Sequence, residues 1–385
     1  MHKALKVRIY PNTKQITLIA KTLGCVRFVY NYMLALRKKT YEETGHGISC
    51  DACIKMLPDL KKTFPFLKEP DSIALQQSVR HLDDAFTRFF NKQNDYPQFK
   101  KKRYDRSYTT MRVKNNIQID GNAVVLPKLG RVKAKIHRNV PDDWTLKSAT
   151  VERTPSDKYF VSLSFEYENQ VPETEPRHII GLDYSSPLLY VDSNGDEPDY
   201  EKPFRKYQAK LAKEQRKLAR MREANIAGYD SKNRPIWKKP LSECKNYQKQ
   251  KRKVAKVYEK IANCRRDALN KLSLYLAESY DAVAVEDLNL KAISQSLNLG
   301  KNTMDNGYGM FLNMLKYKLE DRGKQLVKVD KFFASTKTCS CCGNKKLMLL
   351  SERSYECPEC GNKIDRDLNA AINIKEEAKR LLQSG

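Results

Sequence analysis

The sequence predicts a multidomain α+β protein, on three observations. The first half holds a run of short, alternating, turn-punctuated segments. The second half alternates buried strands with long helices, and two C-x2-C pairs interrupt it near its end. At 385 residues the chain has room for two or three domains.

Charge narrows the class of partner. Lys and Arg number 72 against 46 Asp and Glu, a formal net charge of +26. That exceeds what solubility needs and sets up a field suited to a polyanion. No run approaches the roughly 18 apolar residues of a membrane-spanning helix, and the basic start, Met1 to Pro11, lacks the apolar core of a signal peptide. The expectation is therefore a cytoplasmic protein with no membrane partner. Four of the ten cysteines stand in metal-ligand spacing and the other six show no disulfide framework, which agrees.

Taken in order, HKALKVRIYP alternates and stops at Pro11, so it reads as a strand. Helical spacing then predicts helices over roughly 13–23 and 25–44, the second with a stripe of Val26, Val29, Tyr30, Met33 and Leu34. A further helix over about 73–90 buries Leu75, Val79, Leu82, Phe86, Phe89 and Phe90, leaving Gln76, Gln77, Arg80 and Arg88 on other faces. From Tyr96 to about Glu168 the short segments (123–126, 131–136, 148–153 and 159–165) suggest an antiparallel sheet or small barrel. The first strand would complete that barrel, with the helices inserted after it. A linker follows at roughly 169–177. Beyond it come the strand HIIGLDYS ending at Asp183, the strand LLYVDSNG, a basic helix over 204–222, an irregular insert over 223–245, a helix over 246–279 and the strand DAVAVED ending at Glu286. The longer helix would present Val254, Val257, Tyr258, Ile261, Ala268, Leu269, Leu272 and Leu276 on one face.

Asp183 and Glu286 each follow a continuous apolar run, where a charge is costly unless it meets a cation, a partner or water. A third acid comes from IDRDLNAAINI, where Asp365 or Asp367 could equally cap the helix that follows. Singly, each acid reads as a cap or surface charge. Three at element boundaries in so basic a chain point to Mg²⁺ held by carboxylates and to phosphodiester cleavage. Cys339 with Cys342, and Cys357 with Cys360, have the spacing of a closed, structural Zn²⁺ site; Gly343 and Gly361 follow the pairs where the backbone must curl around sulfur. Cys341 is the odd member, and Cys50 with Cys53 has no second pair, so those two read as ordinary helix residues. The segments KYQAKLAKEQRKLARMR and KNYQKQKRKVAKVYEK could be solvated faces, but suit a duplex backbone better. Phe99, Lys100, Lys101, Lys102 and Arg103, with Tyr96 and Tyr104 interleaved, suit phosphate contact and stacking on RNA.

GLDYSS, VEDLNLKAISQSLNLGK, DNGYGMFLNMLKYKLEDRGKQL, STKTCSCCG and CGNKIDRDLNAAINI, in that order, resemble the TnpB family. Its members are transposon-encoded RNA-guided DNA endonucleases related to miniature type V CRISPR effectors. SIALQQSVRHLDDAFTRFF and YPQFKKKR extend the resemblance more loosely into the first half. It implies a RuvC-like, RNase H-type nuclease domain over 178–385 with a zinc ribbon inserted at 334–364. It also implies a wedge-like β-barrel from 1–10 and 96–170, with a helical recognition domain over 11–95 inserted in it. Catalysis would fall to Asp183, Glu286 and Asp367 with two Mg²⁺ ions; Asp367 is chosen over Asp365 because the family's third acid lies two residues before the Asn of DxNAA. The implied partners are a guide RNA and a double-stranded DNA target beside a short adjacent motif, with no small-molecule substrate. Ala74–Gln77 is the candidate reader of that motif, since glutamine can pair with an adenine edge, though Gln76 and Gln77 could equally be solvent-facing helix polarity; Arg80 on the same helix is a candidate nucleic-acid contact. The chain departs from the family in having Tyr184, Ser185 and Ser186 where many members place a glycine. A nuclease-dead DNA-binding regulator, a strand-joining transposase and a CRISPR-array-encoded effector are the alternatives.

Overall fold

The computed structural model describes residues 1–168, 170–289, 305–349 and 352–384. The chain divides into two compact units, Met1–Glu168 and Asn169–Gly385. Residues 290–301 of the VEDLNLKAISQSLNLGK motif lie outside the described residues.

The first unit starts with β1 (His2–Tyr10) and then a single helix, α1 (Thr13–Thr44), where the sequence predicts two. Asn12 and Gln15 form a reciprocal capping box at its start, and Gly45 closes it in the left-handed conformation at φ 71°. Gly24 does not break it. An interior glycine costs roughly 1 kcal/mol against alanine, less than a helix packed along its length gains. Helices α2 (Cys50–Lys55), which holds Cys50 and Cys53, and α3 (Leu57–Thr63) lead to α4 (Ser72–Phe90). Leu75, Val79, Leu82 and Phe86 of α4 are buried as expected, but Phe90 is 71% exposed because the core ends one turn earlier.

Six more strands follow: β2 (Ser107–Met111), β3 (Gln118–Asp120), β4 (Ala123–Leu126), β5 (Gly130–Lys135), β6 (Thr145–Arg153) and β7 (Tyr159–Glu166). Together with β1 they make a seven-stranded antiparallel sheet in the order β2-β6-β7-β1-β5-β4-β3. The amino-terminal strand is thus central, paired with β7 and β5. The expected barrel is not closed by hydrogen bonds: no ladder joins β2 to β3 among the described residues. The Asn116 side chain bonds Met111 O at 3.2 Å and Val113 N at 2.8 Å, turning the chain away as β2 ends.

The second unit is built on a four-stranded sheet of order β13-β12-β8-β9. Its strands are β8 (Ile179–Ser185), β9 (Leu189–Asp192), β12 (Ala282–Glu286) and β13 (Gln325–Val329). β8, β12 and β13 are parallel and β9 pairs antiparallel with β8. Between β9 and β12 run α5 (Pro203–Glu223) and α6 (Lys245–Ser279). The region expected to be an irregular insert is a hairpin of β10 (Ile226–Tyr229) and β11 (Pro235–Trp237), turned at Asp230, whose carboxylate accepts N–H groups of Lys232 and Arg234 at 2.9 and 2.8 Å. α7 (Tyr308–Glu320) precedes β13. The short hairpin β14 (Ser354–Glu356) and β15 (Lys363–Asp365) precedes α8 (Arg366–Ser384).

Alternation along the strands sorts this sheet into two faces. Ile180, Leu182, Val283 and Val285 pack with Leu269 and Leu276 of α6 and with Phe311, Leu315 and Leu319 of α7. Tyr258, expected on that buried side of α6, is 46% exposed. On the other face Ala284 and Val329 pack with Ile374 and Ala378 of α8. Gly181 lets α8 come this close: a Cβ there would lie 2.2 Å from Ala371 O and 2.7 Å from Lys375 N.

Candidate active site and metal cluster

The face covered by α8 is the one that carries the acids. Asp183 follows Gly181 by two residues and Glu286 follows Ala284 by two, so both side chains share that face. Asp183 is not the last residue of its strand, as expected from the sequence; β8 continues to Ser185 in its antiparallel pairing with β9. It lies instead where the parallel ladder ends, one residue beyond the Leu182–Val285 pair. Asp367 is in the first turn of α8, one turn before Ala371, and is carried to the same end of the sheet. The two neighbouring acids separate cleanly. Asp365 Oδ1 accepts the N–H groups of Asp367 and Leu368 at 2.8 and 3.1 Å, so Asp365 is the helix cap.

Electrostatics tie the three together. The Asp183 carboxyl, 7% exposed, is held well above the usual carboxylate range, first by burial and then by the charges of Glu286 and Asp367. Arg366 and the backbone N–H of Tyr184 pull the other way. Burial also raises Glu286, opposed by the Ser335 hydroxyl, which donates to Glu286 Oε1. Arg366 holds Asp367 Oδ1 through Nε and Nη2 at 3.1 and 3.0 Å. Among the described residues, only the four cysteines bring three or more candidate ligand atoms within 4.8 Å of one another. The carboxylates stand wider, two of them on protein partners. Two acids whose charges raise the cost of ionising a third at one sheet end still fit a divalent cation, which would offset that repulsion.

The strand end bearing Asp183 is braced from below. Asn306 Nδ2 and Lys202 Nζ each donate to Ser186 O at 2.8 Å. Buried Asp305, just before Asn306, pairs with Arg265 at 2.8 Å. Tyr308 packs its ring on Tyr184 at 4.8 Å. Ser335, Arg366, Asn306 and Gly181 were not singled out from the sequence. Of these only Gly181 left a signal, as a glycine inside an apolar strand.

Cys339, Cys342, Cys357 and Cys360 gather as their spacing predicts. Cys339 and Cys360 sulfurs are 3.7 Å apart and those of Cys342 and Cys357 3.5 Å. Zn–S bonds of about 2.3 Å place tetrahedral sulfurs roughly 3.8 Å apart, so the set fits zinc. Gly343 and Gly361 take φ 77° and 71°, and their N–H groups bond back to Cys339 O and Cys357 O at 3.0 and 3.1 Å. Against desolvation, which raises it, N–H groups of Cys342 and Cys341 help bring the Cys339 thiol down to about 6. Buried Asn369 and Asn373 of α8 anchor the cluster: their Nδ2 groups donate to Thr338 O, each at 2.7 Å, and Asn373 also to Ser335 O at 2.8 Å.

The other sequence candidates lie elsewhere. Gln76 and Gln77 are half-buried on α4 beside buried Ala74 and Leu75, and Arg80 is exposed. Phe99, Lys101, Lys102 and Arg103 are exposed. Lys100 is not free: its ammonium lies 4.4 Å from the Tyr30 ring and 3.5 Å from Asp105. On α5 and α6, Tyr207, Lys210, Lys253, Lys256 and Lys260 line a groove of about 470 Å³.

Known proteins resemble this chain along most of its length. A "Putative RNA-guided DNA endonuclease" of Streptomyces pristinaespiralis is 31% identical over 382 residues, 97% of this chain and 88% of that one. The chain belongs to the TnpB family. The "Putative RNA-guided DNA endonuclease InsQ" of Escherichia coli (strain K12) is 27% identical over 402 residues, covering 100% of this chain and 94% of the relative. Family models described as "Probable transposase" and "Cas12f1-like, TNB domain" match residues 162–297 and 308–374 of this TnpB-family chain. A solved Cas12f1–sgRNA–target DNA complex shares the fold at a TM-score of 0.58, with 14% identity, over 97% of this chain and 98% of that one. A "Helix-turn-helix domain" model matches residues 1–46. In this structure those residues form β1 and one unbroken helix.

Proposed function

We propose that the chain is a metal-dependent, RNA-guided DNA endonuclease that hydrolyses phosphodiester bonds at Asp183, Glu286 and Asp367. The observation that carries this is the convergence of two acids on one sheet face with a third from the first turn of α8, in a chain of net charge +26. Two Mg²⁺ ions, held by these carboxylates, would supply an activated water and charge stabilisation at the leaving oxygen. The chain's own residues prepare the site. Burial on the strand fixes Asp183, Ser335 orients Glu286, and α8 delivers Asp367 at a distance set by Gly181. The four-cysteine cluster would hold one structural Zn²⁺ and keep the Ser335 segment in place.

In this reading the second unit is a RuvC-like domain. The seven-stranded sheet is the wedge, and α1 to α4 form the recognition domain, with Gln76 and Gln77 reading the motif beside the target. The partners are a guide RNA and double-stranded DNA, and the place of action is the cytoplasm. The α5–α6 lysines follow the guide–target duplex by its phosphates. The test is to sequence RNA that copurifies with the full chain, then assay cleavage of DNA matching it. Cleavage that follows the RNA sequence and needs Mg²⁺ supports the proposal. A chain that carries no RNA, or whose RNA directs no cleavage, refutes it.

A further inference from the structure

Gly24 opens a cleft in the side of α1. With Arg27, Phe28, Asn31, Tyr32 and Phe66 it lines a hollow of about 560 Å³. A Cβ at position 24 would meet no atom within 4 Å, so the space beside this glycine is open and a larger side chain could enter it. The floor is aromatic. Phe28 and Tyr32 stack with centroids 6.0 Å apart, and Phe66 stands edge-on to Phe28 at 5.3 Å. Rings that served only as core would be covered, yet Tyr32 is 39% and Phe66 44% exposed.

The rim supplies charge. Arg27 is half-buried in the wall and has no ion pair among the described residues. Asn31 clamps the Lys100 peptide, donating to its carbonyl at 3.0 Å and accepting its N–H at 2.8 Å. The exposed Lys101, Lys102 and Arg103 therefore leave from the cleft's edge. Open π-faces beside a guanidinium and a clamped cationic segment match an unpaired nucleobase with its flanking phosphates. An acidic peptide would use the charge and leave the rings bare. An intact duplex could not offer a base, since its bases are stacked inside.

We infer that this cleft receives an unpaired base of the guide RNA, with Lys101, Lys102 and Arg103 on the adjoining phosphates. The identity of that RNA rests on the proposed function; the stacking chemistry does not. RNA fits better than target DNA, because target arrives paired whereas RNA presents splayed bases in its loops.

The test measures affinity of the full chain against salt for a short labelled single-stranded RNA. The same RNA with abasic nucleotides and a matched single-stranded DNA are run beside it. Gly24→Leu should plug the cleft while improving helix propensity, so melting temperature should hold or rise. With Phe66→Ala it should weaken intact RNA about tenfold, leave abasic RNA unchanged and keep the salt slope. Lys101→Ala should instead lower the salt slope by roughly one. Wild-type affinity in both cleft variants overturns the inference, as does an equal loss with abasic RNA, whereas a matching loss with single-stranded DNA supports it, because that strand also offers unpaired bases. Cleavage is not read here, so a failure of the proposed nuclease would leave this result standing.

Discussion

The two clusters of the carboxy-terminal unit that suit metals are built in opposite ways. The cysteine cluster comes from two short loops, each closed by a glycine at positive φ, and its sulfurs already stand 3.5 and 3.7 Å apart across the pairs. The carboxylate site draws Asp183, Glu286 and Asp367 from β8, β12 and α8, and needs the sheet and α8 to be packed before it exists. Glu286 and Asp367 raise the cost of ionising Asp183, and Ser335 and Arg366 hold those two. One site is a property of local chain, the other of tertiary packing. They are also linked, since Asn369 and Asn373 bond α8 to the segment bearing Ser335 and the first cysteine.

Removing zinc should break the comparison most severely. Structural zinc contributes roughly 10–16 kcal/mol in small peptide systems. Chelation, or Cys357→Ser, is expected to unfold the ribbon, free the start of α8 and abolish cleavage. Cys341→Ser should change neither. Metal analysis beside thermal melting checks this, and full cleavage after verified zinc loss would refute the link.

Next in size is Gly181→Ala. The new Cβ would meet backbone atoms of Ala371 and Lys375, which cannot swing aside. Overpacking of this kind costs about 1–3 kcal/mol. Melting temperature should fall, and cleavage should fall with it as Asp367 is displaced. The ribbon should still hold zinc, so the two sites would come apart.

A pH dependence should separate them further. The Asp183 carboxyl is raised above its ordinary 3.8, so the metal-free folded protein keeps a proton that the unfolded chain has released. That contribution to stability is complete below the ordinary value and is lost as pH rises through the raised one, by up to about 1.4 kcal/mol per unit of pKa difference. Asp183→Asn should therefore be more stable than wild type at neutral pH without Mg²⁺, the gap closing towards acid. A gap constant with pH would contradict the burial argument. Smallest is Asp365→Ala. It removes a helix cap worth about 1 kcal/mol and should leave cleavage within severalfold, measured by melting and by cleavage rate.

Much of this was legible in the sequence, for identifiable reasons. Cysteine spacing is local, so the cluster could be read directly. Asp183 and Glu286 stood out because a charge after an apolar run needs an explanation. Choosing Asp367 over Asp365 needed the family resemblance; that Asp365 caps α8 shows only in the backbone turn onto that helix. Ser335 and Arg366 left no pattern, since their roles exist only once β12, the ribbon and α8 meet. Gly24 was misleading in an instructive way. It falls between the two helices expected over 13–23 and 25–44, yet lies inside a single helix and borders an open cleft.

The most direct test of the carboxylate site is calorimetric Mg²⁺ titration of the wild type, Asp183→Asn and Asp365→Asn, with guide-directed cleavage measured on the same preparations. The wild type and Asp365→Asn should bind Mg²⁺ and cleave. Asp183→Asn should lose that binding and fall in rate by on the order of a thousandfold or more. Metal binding and cleavage surviving in Asp183→Asn would contradict the account at its centre.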